Sequence, residues 1–358
     1  MFGGSNGLKH GFLRKPDGTY ALIDAPGAAG ETWATALNNR GQIVVNGMVL
    51  NPDGSTAALD PTLNAAATAI DDNGRLVGCT NSGAGCRGFM AVPAAGTGPL
   101  IRPARGVISA SGYGGFETIA PGSWIEIYGS NLARTRRQWQ ASDFNGNAAP
   151  TSLDGVKVTI NGRPAFVSYI SPGQVNAQVP STLTPGPAQV TVTSGTQTSP
   201  GYRTTVTAAK PGLLAIEVNV ADRYALALFP DFATFVLPPL VNPSIPPLPA
   251  VPSRPAKPGE TIIFYGIGFG SVTPDVPAGR IATDTNRLQS QLEVLFNGVP
   301  AQVNYAGQAP GSVGLYQFNV VVPDGVEPPG QAAYSVVAVE FRLNGDPLEQ
   351  RLSTVVEP

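Results

Sequence analysis

The stretch PGSWIEIYG at Pro121–Gly129 returns in altered form as PGETIIFYG at Pro258–Gly266. Two further motifs follow each copy in the same order: VTINGRPA and QVNAQVP after the first, VLFNGVPA and QFNVVVP after the second. Apolar and polar residues alternate within these motifs, as in half-buried β-strands, and Asn-Gly favours a tight hairpin turn. The chain therefore contains two copies of one β-rich module, and the residues that the copies share are of structural types.

The composition favours short strands joined by many turns. Gly (43) and Pro (35) together make about a fifth of the 358 residues, above the usual share, whereas charged residues are only 13%. A chain of this length can hold two or three domains, each with its own core. The net charge of −2 gives no electrostatic footprint for nucleic acid or an anionic membrane, so we expect neither partner.

The location of the protein is predicted from three features of the sequence. The apolar stretch Phe232–Pro252 is interrupted by seven prolines and cannot form a membrane-spanning helix. The first residues, Met1–Gly7, have neither the basic start nor the apolar run of a signal peptide. A chain rich in Ser, Thr, Asn and Gln but poor in Lys and Glu is typical of exported proteins. We therefore expect an extracellular or cell-surface protein whose leader has been removed or lost by truncation, with an intracellular location as the alternative.

The two cysteines, Cys79 and Cys86, flank a loop that contains Gly83 and Gly85. These glycines let the chain fold back, so the two thiols could meet across a hairpin. A disulfide there would close a short loop and contribute about 2–3 kcal/mol. Free thiols are the alternative, and a zinc site is disfavoured because no histidine is near.

Residues 1–93 carry a different and shorter repeat. Gly-apolar-apolar elements begin at Gly11, Gly47 and Gly88, and the segment Asn38–Val44 is matched by Asp71–Val77. Each of the two matched segments has the signature of a tight turn that leads into a strand. The spacing of 33 to 41 residues is that of one propeller blade or one β-solenoid unit.

This pattern resembles the HAF-type extracellular repeat of bacterial β-proteins, with which His10–Leu13 and Asn38–Val44 agree well. The later copies are degenerate, and about two units are recognisable. Because a closed propeller needs at least about four blades, the resemblance implies either the tail of a longer propeller or a small sheet.

The predicted domain organisation has four parts: the repeat region 1–93, a linker at 94–118, a first module at 119–209 and a second module at 210–358. The strands predicted for the modules are Trp124–Tyr128, Val156–Ile160, Ala165–Ile170, Gln174–Val179, Ala188–Thr193, Thr204–Thr207, Leu213–Val218 and Ala225–Leu228. No long amphipathic helix is predicted. We therefore expect an all-β chain built from antiparallel sandwiches.

A proline-rich insert at 235–258 interrupts the second module. Its composition favours polyproline II, which is preordered and exposes apolar side chains. Two roles are open: the insert covers a sheet edge, or it docks a partner.

The repeated motifs resemble those of the immunoglobulin-like IPT/TIG fold. The two-copy arrangement from about 107 to 355 is similar to an uncharacterised C-terminal domain family of exported acidobacterial proteins, on the matches Pro172–Pro180, Ala309–Gly311 and Gly314–Gln317. The resemblance implies two tandem Ig-like β-sandwiches preceded by the small propeller-like region. It implies no activity that can be assigned to particular residues.

Candidate catalytic residues are few. His10 is the only histidine, so a Ser–His or Cys–His mechanism would have to use it. Gly3–Gly7 matches Gly-X-Ser-X-Gly, but a nucleophile elbow needs a strand before it and a helix after it, so we interpret the match as chance. A glycosidase needs two facing carboxylates; the acidic candidates, which are equally explained as turn or loop residues, are Asp143, Asp154, Glu260 and Asp275. We expect no catalytic site, cofactor or metal.

The strongest binding candidate is a loop that combines three guanidinium groups, Arg134, Arg136 and Arg137, with the indole of Trp139. Such a set can stack on a sugar ring or clamp an acidic group. The alternative is a solvated loop with Trp139 packed onto its own sandwich.

Two Gln-X-Asn pairs, Gln174 with Asn176 and Gln317 with Asn319, recur in the shared motifs. Both asparagines lie among apolar residues, and a buried asparagine must be hydrogen-bonded. We interpret both asparagines as structural pins for a loop.

Together these features predict a non-enzymatic exported β-protein that acts as an interaction, adhesion or structural display module. Its partner would be a protein, a glycan or a second copy of itself, bound through loops at the ends of the sandwiches because the strands are committed to packing. The alternative is a polysaccharide-acting enzyme or an accessory module of one. DNA binding is disfavoured because 24 acidic residues outnumber 22 basic ones.

Overall fold

In the computed structural model the chain divides into two compact units, Met1–Thr97 and Gly98–Pro358. The structure describes residues 2–3, 9–15, 17–25, 30–52, 56–58, 65–72, 74–81, 86–91, 98–111, 115–217, 223–238, 251–326 and 333–357. The regular structure in these residues is overwhelmingly β-strand, which confirms the predicted fold class. Across the same ranges, no helix has the length and apolarity that a membrane crossing requires.

The described residues of the first unit form three small antiparallel sheets. The strands of the first sheet are β1 (Phe2–Gly3), β2 (Lys9–Arg14) and β3 (Tyr20–Ile23); those of the second are β4 (Ala34–Leu37), β5 (Ile43–Val45), β6 (Met48–Leu50) and β7 (Thr56–Ala58); those of the third are β8 (Ala65–Ile70), β9 (Leu76–Asn81) and β10 (Cys86–Ala91). The glycine that opens each repeated element lies in or beside β2, β6 and β10, so each sheet corresponds to one repeat. The described residues thus form three sheets where about two repeat units were recognisable in the sequence, because a strand keeps its apolar alternation after its individual residues have diverged.

Equivalent residues of the second and third sheets contact one another. The side-chain amide of Asn38 donates to the carbonyl oxygen of Asp71 at 2.9 Å, and the backbone N–H of Asn39 donates to the carboxylate of Asp72 at 2.9 Å. Each bond joins residues 33 positions apart, which is the repeat spacing. The second and third sheets are therefore stacked in register, and the described residues form no closed ring of sheets.

The second sheet is covered on both faces. On one face, Ile43 and Val45 pack with Ala25 from the segment after β3. On the other face, Val44 packs with Ala67 of β8. Each hydrophobic cluster of this unit thus lies between two sheets, as in repeat proteins where every core is shared by neighbours.

The second unit begins with a β-sandwich. Its strands are β11 (Leu100–Ile101), β12 (Val107–Ser109), β13 (Thr118–Ile119), β14 (Trp124–Ser130), β15 (Arg137–Gln138), β16 (Ser152–Leu153), β17 (Val156–Ile160), β18 (Arg163–Pro164), β19 (Phe166–Ile170), β20 (Gln174–Gln178), β21 (Gly186–Ser194), β22 (Gln197–Thr198) and β23 (Tyr202–Val206). One sheet has the order β11-β14-β20-β19-β15 with β12 also on β14; the other has the order β13-β23-β21-β17-β16, with β18 on β17 and β22 on β21. A 3₁₀ turn covers Ala141–Asp143, and the core between the sheets is aliphatic.

Part of the predicted linker 94–118 belongs to this sandwich. β11 pairs with the end of β14, β12 pairs with its middle, and β13 pairs in parallel with β23. The linker prediction was wrong for these residues because strands of two or three residues are too short to show an apolar–polar alternation. Residues 92–97 and 112–114 lie outside the described ranges.

The second sandwich follows directly. Its strands are β24 (Gly212–Leu213), β25 (Ala215–Glu217), β26 (Arg223–Ala225), β27 (Ala227–Leu228), β28 (Phe235–Val236), β29 (Ser253–Arg254), β30 (Thr261–Ile267), β31 (Val272–Thr273), β32 (Arg287–Leu288), β33 (Leu292–Phe296), β34 (Val299–Pro300), β35 (Val303–Gln308), β36 (Tyr316–Val321), β37 (Ser335–Leu343), β38 (Asp346–Pro347) and β39 (Leu352–Val356). One sheet has the order β29-β28-β27-β30-β36-β35 with β24 on β30; the other has the order β25-β26-β39-β37-β33-β34 with β38 on β37. β31 and β32 form a separate ribbon, and the core is rich in phenylalanine.

The two sandwiches repeat one topology. In each, the strand of the Pro-Gly motif (β14, β30) pairs antiparallel with the strand of the Gln-X-Asn motif (β20, β36), which pairs in turn with the strand before it (β19, β35). A register shift interrupts the last pairing at the same place, before Tyr169 in the first copy and before Tyr305 in the second. The duplication predicted from the motifs is therefore a duplication of the fold.

The described ends of the proline-rich insert add strands to a sheet. β28 pairs antiparallel with β27 and in parallel with β29, which is the outermost strand. Val236 and Leu237, next to the prolines, are buried in the core. The insert thus extends a sheet edge at both of its ends. Polyproline II is predicted for the whole of 235–258, and residues 239–250 of that stretch lie outside the described residues.

Candidate binding site

Residues 131–140, the arginine loop, leave the end of β14 and contain β15. Within this loop Arg137 is held by two carboxylates. Its guanidinium donates to both oxygens of Asp143 at 2.8 and 3.0 Å and, through Nε, to Asp154 at 2.9 Å. These hydrogen bonds lower the pKa of both aspartates and raise the pKa of Arg137. The candidate ligand residue Arg137 is therefore committed to fastening the loop to its own sandwich.

Trp139 packs in an aromatic cluster of the first sandwich. Its ring meets Trp124 edge-on with centroids 5.5 Å apart, and its centroid lies 4.9 Å from that of Phe144. Its backbone N–H donates to the carbonyl oxygen of Ser168 at 2.9 Å. The half-buried indole thus takes the packed position that the sequence left as the alternative to sugar stacking.

Arg134 and Arg136 are exposed, and within the described residues no hydrogen bond or ion pair engages either guanidinium. The backbone that carries them is fixed nevertheless. Leu132 is buried before them, and the hydroxyl of Thr135, between them, donates to Asp154 at 2.7 Å. Two available guanidinium groups on an anchored loop can engage carboxylate, sulfate or phosphate oxygens with paired N–H donors.

The two Gln-X-Asn pairs have the same geometry. The amide of Gln174 donates to Asn176 at 2.8 Å, and the amide of Gln317 donates to Asn319 at 2.8 Å. The four side chains are half-buried and lie on strands, β20 and β36. This differs from the predicted loop pins: each pair braces one face of a strand, because residues two apart point to the same side.

Residues that the sequence reasoning missed join the two sandwiches. Gln178 is buried there; its amide donates to the carbonyl oxygen of Gly122 at 2.9 Å, and its Oε1 accepts from the backbone N–H of Gly279 at 2.6 Å. The indole N–H of Trp124 donates to the carbonyl oxygen of Val313 at 2.9 Å. The joint therefore ties β14 and β20 to two loops of the second sandwich.

Two glycines permit the close approach at this joint. A Cβ on Gly279, whose φ is +75°, would lie 2.1 Å from the ring of Phe166. A Cβ on Gly314, whose φ is +63°, would lie 2.1 Å from the side-chain nitrogen of Gln178. Both conformations are in the left-handed region, which glycine enters without steric cost. Glycine is thus required here for space as well as for conformation.

A sequence difference between the two copies is the signal from which this joint could have been predicted. Trp124 and Gln178 are register partners in the first sandwich, and the partners at the equivalent positions of the second are Thr261 and Val321. A buried glutamine in one copy replaces a valine in the other. Such a replacement inside an otherwise repeated motif marks a contact that only one copy makes.

A small cleft lies beside the joint, between Asn147 and the segment 274–286. Its volume of about 270 Å³ is below the roughly 300–1,000 Å³ of ordinary ligand sites. Several of its polar groups are already bonded: Arg280 donates to Asn147 at 2.8 Å, and Asn286 exchanges hydrogen bonds with the backbone of Gln308. The packing of two loops is enough to explain the cleft.

Three of the four acidic candidates are held in the ionised state. Asp143 and Asp154 share one arginine, and Glu260 accepts from Arg254 at 2.8 and 2.9 Å. The arginine lowers the carboxyl pKa in each case, whereas the general acid of a glycosidase needs a raised pKa. The fourth, Asp275, lies in the wall of the cleft. The environments of Asp143, Asp154 and Glu260 thus suit structural ion pairs better than proton donation.

His10, the other catalytic candidate, pairs through Nδ1 with the carboxylate of Asp24. Both residues belong to the first sheet of the first unit or to the segment directly after it. Residues 4–7 of the Gly3–Gly7 match lie outside the described residues. Among the described residues His10 therefore pairs with a carboxylate, and the serine of the Gly3–Gly7 match lies outside them.

Cys79 and Cys86 are joined by a disulfide across the β9–β10 hairpin, with Cα atoms 5.4 Å apart. This separation is typical of disulfides. Residues 82–85 of the loop that it closes lie outside the described ranges. In the part of the chain that is described, no three His, Cys, Asp or Glu side chains come together as a metal site would require.

Comparison with known families places the arginine loop inside a recognised domain. Residues 116–208 match the family described as the IPT/TIG domain, so the first sandwich contains an IPT/TIG domain. The matched range begins just before β13 and ends just after β23. No curated protein matches the chain.

Solved structures that resemble this chain share little sequence with it. SGBP-B of the Bacteroides ovatus mixed-linkage glucan utilization locus, solved with a mixed-linkage heptasaccharide, is 10% identical; the match covers 98% of this chain and 63% of that chain, with a TM-score of 0.30. Gamma-CGTase from Alkalophilic bacillus clarkii is 14% identical over 78% of this chain and 30% of that chain (TM-score 0.24). Domains 4–9 of the surface layer protein SbsC are 12% identical over 97% and 44% (TM-score 0.21). The chain spans less than two thirds of each structure, and likenesses of this size carry no functional inference.

Proposed function

We propose that this protein is a non-enzymatic surface interaction module whose binding element is the arginine loop. The proposed ligand is a polymer that carries carboxylate or sulfate groups. One observation supports this most: Arg134 and Arg136 are available on a loop whose third arginine and tryptophan are already committed to anchoring it.

The charges near the loop favour an acidic ligand. The loop carries three arginines, and one of them, Arg137, pairs with Asp143 and Asp154. Three positive and two negative charges leave one net positive charge on this group, whereas the chain as a whole carries −2. A single exposed ion pair contributes only about 0.2–1 kcal/mol. A polymer is therefore the fitting ligand, because repeated acid groups raise the effective concentration at the loop.

The joint between the two sandwiches also contacts the arginine loop. The ring of Trp124 packs on Trp139 of the arginine loop, and its indole N–H is bonded to Val313 of the second sandwich. The side chain of Trp124 thus belongs to the joint and contacts the arginine loop. A loop that is already ordered loses less conformational entropy on binding, so this support favours recognition.

The proposal includes export to the cell surface. The disulfide between Cys79 and Cys86 supports it, since disulfides persist mainly in oxidising compartments. The proposal also includes that the first unit consists of HAF-type repeats and that the two sandwiches form a tandem of the acidobacterial exported type. The contacts between residues 33 positions apart support the first of these assignments, and the duplicated topology supports the second.

Array binding with the full chain tests the proposal. The probes are sulfated and uronic-acid polysaccharides, the same polymers after desulfation or carboxyl reduction, and acidic peptides of matched charge. We expect retention on acidic probes at low salt, a steep loss as salt screens the charges, and no retention on the neutralised polymers. The peptide arm shows whether a glycan backbone is needed. Equal retention on neutral and acidic polymers, or turnover of any polysaccharide, would contradict the proposal.

A further inference from the structure

In the first unit, the covered faces of the second sheet can be compared with the equivalent faces of the first and third sheets. We call the face of a sheet toward the preceding repeat its front and the face toward the following repeat its back. On the back of the second sheet, Val44 is 1% exposed and Val49 is 7% exposed, because the third sheet covers them. At the equivalent positions on the back of the third sheet, Val77 is 43% exposed and Met90 is 64% exposed.

The front of the first sheet shows the same contrast. Met48, on the front of the second sheet, packs into the cluster shared with the first sheet. At the equivalent position in the first sheet, Phe12 is 41% exposed, and its register partner Leu22 is 63% exposed. Tyr20, on the same face, is 57% exposed, and its ring centroid lies 5.6 Å from that of Phe12. The described side chains of this front face are therefore apolar and partly exposed.

The two exposed faces are of complementary types. Inside the unit, each contact between sheets is made by the back of one sheet and the front of the next. The first sheet presents a front, Phe12, Tyr20 and Leu22, and the third sheet presents a back, Val77 and Met90. Exposed apolar side chains grouped on one face indicate an interaction surface rather than ordinary scatter. Within the unit, faces of these two types are covered by another sheet of the same repeat. A sheet of this repeat is therefore the expected cover for both exposed faces.

We propose that a second copy of this chain covers both faces, with the front of each copy against the back of the other. Two copies would bring together six stacked sheets, within the four to eight blades of known propellers. If the same two copies make the front-to-back contact twice, they form a closed two-fold dimer. If each copy makes it with a different neighbour at its front and at its back, open chains result. The proposal concerns the first unit and is independent of ligand binding by the arginine loop.

Sedimentation of the full chain over a wide concentration range tests this proposal. The variants are Leu22→Glu and Met90→Glu, which place a charge on each face, and the matched control is Val336→Glu, at a residue 48% exposed on the second sandwich. We expect a wild-type dimer, a dissociation constant raised at least about tenfold by either face variant, and no change from the control. Thermal melts check that all variants are folded. A wild-type monomer at the highest concentration, or an equal effect of the control, would overturn the proposal.

Mixing the two face variants distinguishes the predicted contact from a front-to-front or back-to-back dimer. A copy with Leu22→Glu keeps its back, and a copy with Met90→Glu keeps its front, so the mixed pair regains one unaltered interface. We expect the mixture to associate more tightly than either variant alone, by several-fold. If the mixture associates no better than the separate variants, the front-to-back arrangement is wrong.

Discussion

Five core positions that hold aliphatic side chains in the first sandwich hold phenylalanine in the second. The equivalent pairs are Ile127 and Phe264, Leu132 and Phe269, Ile160 and Phe296, Val175 and Phe318, and Val192 and Phe341. All ten residues are buried, and strand order and register are the same around them. One topology is thus filled in two ways, which shows that the pattern of apolar positions, rather than particular core residues, determines this fold.

The comparison also separates shared features from features of one copy. Both copies keep the Asn-Gly turn, at Asn161 and Asn297, and the Gln-X-Asn brace, on β20 and β36. Only the first copy has the arginine loop after its Pro-Gly strand. The corresponding part of the second copy contributes Gly279 to the joint. Common residues therefore build the frame, and the loops that differ are where specific contacts are made.

The largest expected effect is a difference between the cores. Phe318 packs against Phe269 and Phe341 with ring centroids 4.6 and 5.4 Å apart, so Phe318→Ala should destabilise by about 3–5 kcal/mol. Val175→Ala, at the equivalent position, should cost about 2 kcal/mol because two buried carbons are lost. Urea unfolding followed by fluorescence measures both. Equal losses would mean that the two cores are not filled differently.

The joint gives the next largest effect. Gly279 and Gly162 have the same φ of +75°, but a Cβ on Gly162 would have nothing within 4 Å. Gly162→Ala should therefore cost only the left-handed conformation, about 1–2 kcal/mol. Gly279→Ala adds the collision with Phe166, for a further 1–3 kcal/mol or so. Calorimetry of the two variants tests this, and a smaller loss from Gly279→Ala than from Gly162→Ala would count against the joint.

The brace should matter equally in both copies. Gln174→Leu and Gln317→Leu each remove one amide donor to an asparagine, so each should cost about 0.5–1.5 kcal/mol. Because the geometry is the same, the two losses should agree within about 0.5 kcal/mol. Urea midpoints of the two single variants give the comparison. A brace that matters in one sandwich alone would show that the shared motif is not a shared structural device.

The smallest expected effect is on acid stability. Arg137 lowers the pKa of Asp143 and Asp154, so the folded chain binds fewer protons than the unfolded chain near pH 4. The resulting stabilisation is complete above the unfolded pKa of about 4 and is lost as pH falls through the lowered folded values. Arg137→Gln should therefore reduce the loss of stability at acid pH, measured as the decrease in unfolding midpoint from neutral to acid pH. The control Arg203→Gln, at an exposed strand residue, should leave this decrease unchanged.

Much of the frame could be predicted from the sequence. β17 has the predicted bounds, Val156–Ile160, and β14, β19 and β20 agree within one or two residues, because long strands with one buried face show a clear alternation. β11 and β12 could not be predicted because they are short. Their place in the sandwich depends on pairing with β14, which is a tertiary property.

The candidate site could be predicted only in part. The arginine loop was visible as a cluster of residue types, but the partners of Arg137 were not, since Asp143 and Asp154 reach it only after the loop and the turn beyond it have folded. The packed position of Trp139 likewise depends on Trp124, which is distant in sequence. The sequence indicated that the loop can bind an acidic group. The contacts of Arg137 in the folded chain leave Arg134 and Arg136 as the arginines available for it.

The affinity of two charge-matched double variants for one sulfated polysaccharide tests the central claim most directly. Arg134→Gln with Arg136→Gln removes the two available guanidinium groups; Arg203→Gln with Arg287→Gln removes two exposed arginines on strands. The loop variant should bind about tenfold more weakly at low salt, since two exposed ion pairs of about 0.7 kcal/mol are lost. The strand variant should bind within about twofold of the wild type. Equal weakening by both variants, or none by the loop variant, would contradict the assignment of binding to the arginine loop.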